Sequence, residues 1–442
     1  MKGLILLIFW MTLYATSFGQ NSFVITEESP KYFDNNNFET KIEGGDTIFV
    51  EAKRKDAITL HNFHGNEDSP IVVINKNGIV NINDTVAAGA FELRECSHVR
   101  LVGVGDSTSQ CGFILCSKNS GVSVTELSSH IEISHVKIDH NGFFGIVVKK
   151  DYHGNPPNPV PVFEKLNIHD CEIYNVTEGM YLGETKTPGM EFKHVRIYNN
   201  IVSNTGREAI QIANMVEDVE VFNNILMNSG QDETDWQGSN FQVGDNSVGH
   251  FHHNIFLNGH SYGAIVLGAG DITMSENYFG NNQGVFIDNR TVTIPYSSID
   301  ITANYFRDMN DDVVIKIINE KNHINLFDNV WYSTKSFNFT EVLNSGVQIT
   351  ETNNLYNLFA PILVENYKII SLNPAEYLKL GPQEGLTHQF NYKPIIEEIQ
   401  NCVFKPNTKN IIEIKASTPD FDNVSFILVD TLDFVFFTDL EN

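Results

Sequence analysis

Two glutamates in similar sequence surroundings are the residues of this 442-residue chain that could do chemistry. Glu178 begins the segment EGMYL, and Glu208 begins the segment EAIQI. If these segments are equivalent strands of neighbouring coils, the two carboxyl groups lie on adjacent rungs of one outer face, about 5 Å apart. Like charges at that distance are costly unless a proton or a cation lies between them. The pair therefore suggests acid–base catalysis, including that of a retaining glycosidase, or a Ca²⁺ site.

Neighbouring side chains extend this candidate site. Arg207 is adjacent to Glu208, and we expect it to take part in catalysis by holding a carboxylate or sulfate of a sugar. In the alternative interpretation both glutamates are solvated and paired with Arg207 or Lys186. Three side chains share the next outward position of the same predicted face and are expected to bind substrate: Tyr181, Gln211 and Gln242.

A long turn, SGQDETDWQGSN, follows Asn228 and leads into the strand that carries Gln242. An exposed Trp236 beside acids on the rim of a groove suits sugar stacking, and the carboxylates suit Ca²⁺ or sugar hydroxyls. In the alternative interpretation the turn is an inert insertion and Trp236 packs on its own coil. The predicted ligands of a possible Ca²⁺ ion are Glu178, Glu208, Asp232 and Asp235.

The elements that position these residues belong to a repeat. Eight segments align in register, among them LNIHDCEIYN, VRIYNNIVSN and VEVFNNILMN. A period of about 25 residues with β-branched alternation is typical of a solenoid. Each repeat is predicted to hold three short strands whose inward side chains stack on those of the next coil.

An asparagine recurs at one position of this repeat. We expect it to occupy a left-handed bend between two strands, which Asn tolerates best after Gly, and to hydrogen-bond along the stack. These asparagines are therefore interpreted as structural and not as a site. The column contains Asn200, Asn224, Asn254, Asn277, Asn304 and Asn329.

The repeat predicts an all-β fold, a right-handed parallel β-helix over residues 44–350. Residues 20–43 are predicted to cap its first coil, because an open stack of strands would template aggregation. Residues 351–442 are predicted to form loops and strands packed on the last coils. Residues 1–19 have a charged start, an apolar stretch and small residues before a cleavage site, which predicts a signal peptide and a secreted, periplasmic or cell-surface protein.

The amino-acid composition argues against several classes of binding partner. The formal net charge of −26 argues against nucleic acid and anionic membranes, which attract basic proteins. No segment of the predicted mature chain is long and apolar enough to span a bilayer, so no membrane insertion is expected. We expect a monomer. Five cysteines without a CxxC pair support neither a zinc knuckle nor a redox motif, and one disulfide among Cys96, Cys111 and Cys116 stays open.

The repeats, with segments such as GDTI, SPIVVIN, GMYLG and VFIDNR, resemble secreted bacterial β-helix proteins of the pectate-lyase-like superfamily. Many members of that superfamily are polysaccharide lyases or hydrolases. In its chondroitinase B and alginate lyase group, glutamates on successive strands bind Ca²⁺, a lysine removes a proton and an arginine assists. By this resemblance Glu208 is similar to one such glutamate and Glu178 to a second. Ala213 and Asn214 stand where the lysine would be, so no specific catalytic family is matched.

Two classes of function follow. In the first, a secreted carbohydrate-active protein acts on, or binds, an extended polysaccharide through a lyase-like or hydrolase-like cleft at Glu178 and Glu208. In the second, a non-catalytic β-helix serves as a surface, adhesive or glycan-binding module. Whether the chain is an enzyme stays open, and Ca²⁺ is the one cofactor considered.

Overall fold

A computed structural model describes residues 21–106, 109–139, 142–184, 188–268, 270–288, 294, 297–307, 309–332, 338–356, 395–396 and 416–417. The predicted signal peptide and most of the predicted C-terminal segment lie outside these ranges, as does Lys186. Within them the chain contains strands and one 3-10 turn, Asn35–Asn37, but no α-helix. The predicted all-β class is therefore confirmed. In this part of the chain no helix has the length and apolar character needed to cross a membrane.

The strands form three parallel sheets that run along the stack, because each strand pairs with its counterpart in the next coil. Sheet 1 has 13 strands: β1 (Ser22–Ile25), β3 (Thr47–Glu51), β5 (Ile71–Lys76), β8 (Ser97–Val102), β11 (Ser129–Ser134), β14 (Val162–His169), β17 (Glu191–Tyr198), β20 (Met215–Phe222), β23 (Gly249–His252), β26 (Ile272–Ser275), β29 (Ser298–Thr302), β32 (His323–Phe327) and β35 (Gln348–Thr352).

Sheet 2 has 12 strands: β2 (Tyr32–Asp34), β4 (Ile58–His61), β7 (Gly89–Arg94), β10 (Ser120–Thr125), β13 (Phe144–Val148), β16 (Glu178–Leu182), β19 (Ile210–Ile212), β22 (Phe241–Val243), β25 (Ala264–Val266), β28 (Val285–Ile287), β31 (Val313–Ile317) and β34 (Asn338–Val342). Its strands carry Glu178, Tyr181, Gln211 and Gln242, and Glu208 lies two residues before β19.

Sheet 3 has 11 strands: β6 (Val80–Asp84), β9 (Phe113–Ser117), β12 (Val136–Asp139), β15 (Glu172–Tyr174), β18 (Ile201–Ser203), β21 (Ile225–Met227), β24 (Ile255–Leu257), β27 (Tyr278–Gly280), β30 (Tyr305–Arg307), β33 (Val330–Tyr332) and β36 (Leu355–Tyr356). A separate antiparallel pair joins β37 (Ile395–Ile396) to β38 (Ala416–Ser417). The predicted parallel β-helix is confirmed by this topology.

The core lies between the sheets and is built from inward columns. In several strands of sheet 1 every second side chain is buried, as in β5, where Ile71 and Val73 are fully buried. Aromatic rings from successive coils stack in one column: the centroids of Phe256 and Phe279 are 4.7 Å apart, as are those of Phe279 and Phe306. The coil spacing therefore sets the ring spacing.

The predicted asparagine ladder is present at the corner between sheets 1 and 3. Asn224 is fully buried, and its Nδ2 donates to the side-chain oxygen of Asn254 at 2.9 Å and to the carbonyl of Ile197 at 2.9 Å. Its Oδ1 accepts from the backbone and side-chain nitrogens of Asn200, both at 3.0 Å. Each amide thus satisfies the next one along the stack.

The prediction that the ladder asparagines themselves are left-handed is wrong. The left-handed residue is the one before each ladder asparagine: Asn199 and Asn223 have φ of 56° and 54°, whereas Asn200 and Asn224 do not have positive φ. Left-handed asparagines also occur at the second corner, for example Asn204 with φ of 58°. The ladder position therefore requires an amide that can both donate and accept, and the bend residue requires left-handed tolerance.

A buried arginine stabilises the packing of the first coils through hydrogen bonds to the backbone. Strands β1 and β2 pair with β3 and β4, so the segment predicted as a cap contributes rungs to sheets 1 and 2. Arg54 is fully buried, and its guanidinium donates to backbone carbonyls on both sides, including Pro30 and Ala57 at 3.0 Å each. The four cysteines in the described ranges are unpaired: Cys96, Cys111, Cys116 and Cys171.

Candidate active site on the outer face of sheet 2

The register of sheet 2 places Glu178 beside Glu208. Met180 pairs with Ile210 between β16 and β19, which puts the two glutamates opposite each other one rung apart. The amide of Gly179 donates to the carbonyl of Glu208 at 3.0 Å, which extends the pairing to this position. The structure thus brings together the two carboxyl groups that the sequence pattern paired.

Both carboxyl groups are buried, although they occupy an outward position. Glu208 is 0% exposed and Glu178 is 5% exposed. Neither carboxyl oxygen of Glu208 has a hydrogen-bond donor among the described residues. A buried carboxylate without a donor is strongly disfavoured, whereas a carboxylic acid can donate to a neighbouring carboxylate. The arrangement therefore calls for one proton between Glu178 and Glu208.

Electrostatics lead to the same conclusion. Burial, together with the negative charge of Glu178, raises the pKa of Glu208 to about 8. Burial also raises the pKa of Glu178, although the nearby cations Arg207 and Lys149 oppose the shift. Because the two groups interact closely, they titrate as a pair, and at neutral pH the pair holds one proton.

Two cations and three aromatic rings flank the pair. The Arg207 guanidinium lies 5.1 Å from the centroid of the Phe143 ring, and its buried Nε has no acceptor in the described part of the chain. The Lys149 ammonium lies 4.3 Å from the centroid of the Tyr181 ring, which stacks on Phe144 at 5.6 Å. Positive charge is thus held beside the glutamates by cation–π contacts.

The second predicted column is also in register. Tyr181 pairs with Gln211, and Gln211 pairs with Gln242. Gln211 and Gln242 are buried, and the column then turns apolar with Ile265 and Phe286. From Gln211 to Phe286 the side chains of this column are therefore buried in the folded chain.

The long turn after β21 lies along this face. The amide of Asp232 donates to the carbonyl of Gly206 at 2.9 Å, which holds one end of the turn two residues from Glu208. At the other end, the ring of Trp236 stacks on Phe286 with 6.0 Å between centroids, although the side chain remains 56% exposed. The ring of Trp236 thus contacts a coil two rungs beyond Gln242.

The predicted Ca²⁺ ligands do not converge. No three of the carboxylates of Glu178, Glu208, Asp232 and Asp235 bring ligand oxygens within 4.8 Å of one another. Calcium takes six to eight oxygen ligands, many of them from water, and the fully buried Glu208 offers no room for water. The residues present therefore fit a shared proton better than Ca²⁺.

Two contributors were missed in the sequence. Neither Lys149 nor Phe143 was singled out from the sequence pattern. A signal existed, because both residues lie in the coil before Glu178, at the two ends of β13. Ser239, one rung after Glu208, is fully buried, and its hydroxyl has no hydrogen-bond partner among the described residues.

No protein-family model matches this sequence, and no curated protein matches it at a significant level. A GH136 lacto-N-biosidase from Eubacterium ramulus is similar in structure at a TM-score of 0.47 and 12% identity, covering 77% of this chain and 68% of that one.

Two further solved structures are similar at 12% identity each. The pectate lyase Pel9A has a TM-score of 0.43 and covers 76% of this chain and 79% of its own. An alginate lyase from Paenibacillus sp. str. FPU-7 has a TM-score of 0.42 and covers 76% of this chain and 99% of its own. By their names these neighbours act on carbohydrates, and at these scores the similarity assigns no activity to this chain.

Proposed function

We propose that this protein is an exported carbohydrate-active enzyme that acts on an extended polysaccharide on the outer face of sheet 2. The observation that carries the proposal is the Glu178–Glu208 pair, in which Glu208 is fully buried and lacks a hydrogen-bond donor in the described structure. Groups with strongly shifted pKa values are concentrated at functional sites. A pair that holds one proton offers an acid and a base in contact.

This pair suits cleavage of a glycosidic bond. Once substrate has entered between the two carboxyl groups and separated them to about 5 Å, the protonated one can donate to the leaving oxygen, and the ionised one can accept a proton or attack carbon, as in hydrolases. The same two forms serve a lyase, which removes a proton beside a uronate carboxylate. Arg207 and Lys149 can stabilise the negative charge that develops in that case.

Access to the pair depends on the turn formed by residues 229–237. Substrate cannot reach a carboxyl that is 0% exposed, so we infer that this turn moves away from sheet 2 when polysaccharide binds. The half-exposed ring of Trp236 then supplies a stacking surface for a sugar. Movement of a polar, glycine-containing turn leaves the strands below it intact.

A second candidate function rests on that same tryptophan. If Trp236 and the polar residues around it bind sugars while the glutamates stay covered, the protein is a glycan-binding module without catalysis. The two candidates differ in whether a bond is broken, and the same set of polysaccharides can be used to distinguish them.

The test combines binding with two assays of cleavage. A panel of neutral and acidic polysaccharides is incubated with the wild-type protein, and new reducing ends and the ultraviolet absorbance of unsaturated products are followed. Turnover that is lost in Glu208→Gln supports the enzyme, and binding without turnover supports the module. Repeating the assay with added Ca²⁺ and with a chelator tests whether the possible Ca²⁺ ion considered from the sequence takes part. Because the proposed ligands do not converge, we expect turnover to be unchanged in both cases.

A further inference from the structure

A second cluster of polar side chains lies on sheet 1, away from the glutamate pair on sheet 2. His98 in β8 and His130 in β11 are opposite each other on adjacent rungs, because Ser97 pairs with Ser129 and Val99 with Ile131. Their rings stack at 4.0 Å between centroids with an interplanar angle of 18°. The coil repeat thus fixes two imidazoles side by side.

Glu67, in the turn before β5, reaches across both rings. Its Oε2 lies 3.7 Å from Nε2 of His98 and 3.9 Å from Nε2 of His130. Among the residues that the structure describes, no other three histidine, cysteine or acidic side chains bring ligand atoms within 4.8 Å of one another. One carboxylate oxygen and two imidazole nitrogens therefore face a common point.

We propose that Glu67, His98 and His130 bind a divalent transition-metal ion, with Zn²⁺ as the representative. Two imidazole nitrogens with one carboxylate oxygen form a known three-ligand set for zinc, in which water takes the fourth position. Imidazole ligands favour zinc, copper and nickel over calcium and magnesium, which prefer oxygen. The site is independent of the proposed catalysis, because it lies on a different sheet.

The distances are close to those of a metal site. Zinc bonds of about 2.0–2.2 Å in a tetrahedral arrangement place ligand atoms roughly 3.3–3.6 Å apart. The two measured separations exceed this range by a few tenths of an ångström. Metal binding therefore requires a small closure and a tilt of the rings out of their stack, which side chains that are 23%, 26% and 59% exposed can make.

Surrounding groups hold the remaining atoms of two ligands. Oε1 of Glu67 lies 2.6 Å from the ammonium of Lys165, which leaves Oε2 toward the imidazoles. Nδ1 of His130 lies 3.2 Å from the hydroxyl of Ser129, so Nε2 is the nitrogen that faces Glu67. Such outer contacts orient metal ligands in proteins. The charge of Lys165 opposes a cation, so we expect moderate affinity.

The backbone dictates which substitutions test the site. His98 and His130 both have φ of 53°, a left-handed conformation in which Asn is tolerated better than Ala. His194 is a matched control: it is an imidazole of the same column, with φ of 55°, paired with Asp218 at 2.8 Å. The variants are therefore His98→Asn, His130→Asn and Glu67→Gln, with His194→Asn as control.

The experiment is titration calorimetry of the full chain, purified without a histidine tag, with Zn²⁺ alone. We expect one Zn²⁺ per chain, at least tenfold weaker binding in the three site variants, and unchanged binding in His194→Asn. Zn²⁺ should also raise the melting temperature of the wild type but not that of Glu67→Gln. Lys165→Met, which removes the competing ammonium, should bind more tightly than the wild type.

Three results would overturn the proposal. The first is no stoichiometric binding by the wild type. The second is wild-type affinity in His98→Asn or Glu67→Gln. The third is an equal loss in His194→Asn, which would mean that scattered surface imidazoles hold the metal. Far-UV circular dichroism of every variant separates a lost site from a lost fold.

Discussion

The asparagine ladder and the Glu178–Glu208 pair are both buried polar residues stacked rung upon rung, and they differ in hydrogen bonding. Each side-chain group of Asn224 has partners within 3.1 Å, supplied by the asparagines on either side and by backbone carbonyls. The carboxyl oxygens of Glu208 have no donor in the described part of the chain. Two stacks with the same geometry thus have opposite energetic consequences.

The difference follows from chemistry. A carboxamide donates and accepts, so identical neighbours along a stack satisfy each other, and the ladder stabilises the fold. A carboxylate only accepts, so two stacked carboxylates require a proton or another ligand. A column of stacked amides in this solenoid is therefore structural, whereas a buried column of acids indicates a place where a proton or substrate is bound.

The largest expected effect is on catalysis. Glu208→Gln and Glu178→Gln keep the shape of the pair but remove its proton transfer, so turnover of the polysaccharide found in the screen should fall on the order of 10²–10⁴-fold. Near pH 6 the melting temperature of Glu208→Gln should stay close to that of the wild type, because Gln resembles the protonated carboxyl. Full activity in both variants would show that the pair is idle.

The next effect is on the pH dependence of stability. The pKa of Glu208 is about 8 in the folded chain and near 4.5 in the unfolded chain, so the folded state binds more protons between these values. The free energy of unfolding should therefore decrease as pH rises from about 5 to 9, by an amount on the order of 5 kcal/mol, and level off above that.

A histidine contributes in the same direction, so the comparison needs a variant. Burial opposes the charge of His169, but hydrogen bonds to Asp170 and Glu132 outweigh it and raise the pKa to about 9. Its stabilisation is present below pH 6.5 and is lost as pH rises through 9. Urea unfolding of Glu208→Gln should show a smaller decrease than the wild type, because the contributions of His169 and Glu178 remain. Identical pH profiles for variant and wild type would remove Glu208 as the cause.

A smaller effect is expected in the ladder. Asn224→Ala leaves a carbonyl of sheet 1 and an amide of Asn200 without partners, which should lower the free energy of unfolding by roughly 2 kcal/mol. Because Asn224 is not left-handed, Asn224→Gly should cost at least as much as Ala. Urea unfolding measures both. If Asn224→Gly were clearly less destabilising than Asn224→Ala, Asn224 would be the left-handed bend residue after all.

The smallest effect belongs to the bend residue beside it. Asn223 has φ of 54°, so Asn223→Ala should cost about 1 kcal/mol through backbone strain, and Asn223→Gly should be close to neutral. Asn223 and Asn224 thus form a pair of neighbours with opposite responses to glycine. Equal responses at the two positions, measured by urea unfolding, would contradict the separation of bend and ladder.

The register between strands of neighbouring coils was predicted correctly, because side chains alternate along a strand with a period of two and the coils repeat. The repeat pattern therefore placed Glu178 opposite Glu208, and Gln211 opposite Gln242. It assigned the bend one residue too late, because it took the recurring asparagine to be the left-handed residue. The preceding position is left-handed even where it is not asparagine, as at His253, Glu276 and Ala303.

Other features depend on turns, whose paths a repeat pattern does not determine. The burial of Glu208 could not be predicted, because the repeat pattern does not give the paths of segments outside the strands, such as the turn at residues 229–237, whose Asp232 amide donates to the carbonyl of Gly206. The cluster of Glu67 with His98 and His130 was missed for the same reason. A signal was available in the segments SHV and SHI, which place a histidine at the same position of two coils.

Glu178 and Glu208 are proposed to share one proton near neutral pH, and titration of the two carboxyl groups is the most direct test. Carbon NMR of protein labelled at the glutamate side-chain carboxyl, with Glu178→Gln and Glu208→Gln for assignment, follows each group across pH 3–10. We predict that one carboxyl of the pair stays protonated at pH 7 and ionises near pH 8. Ionisation of both carboxyls near the ordinary glutamate value of 4.5 would contradict the account.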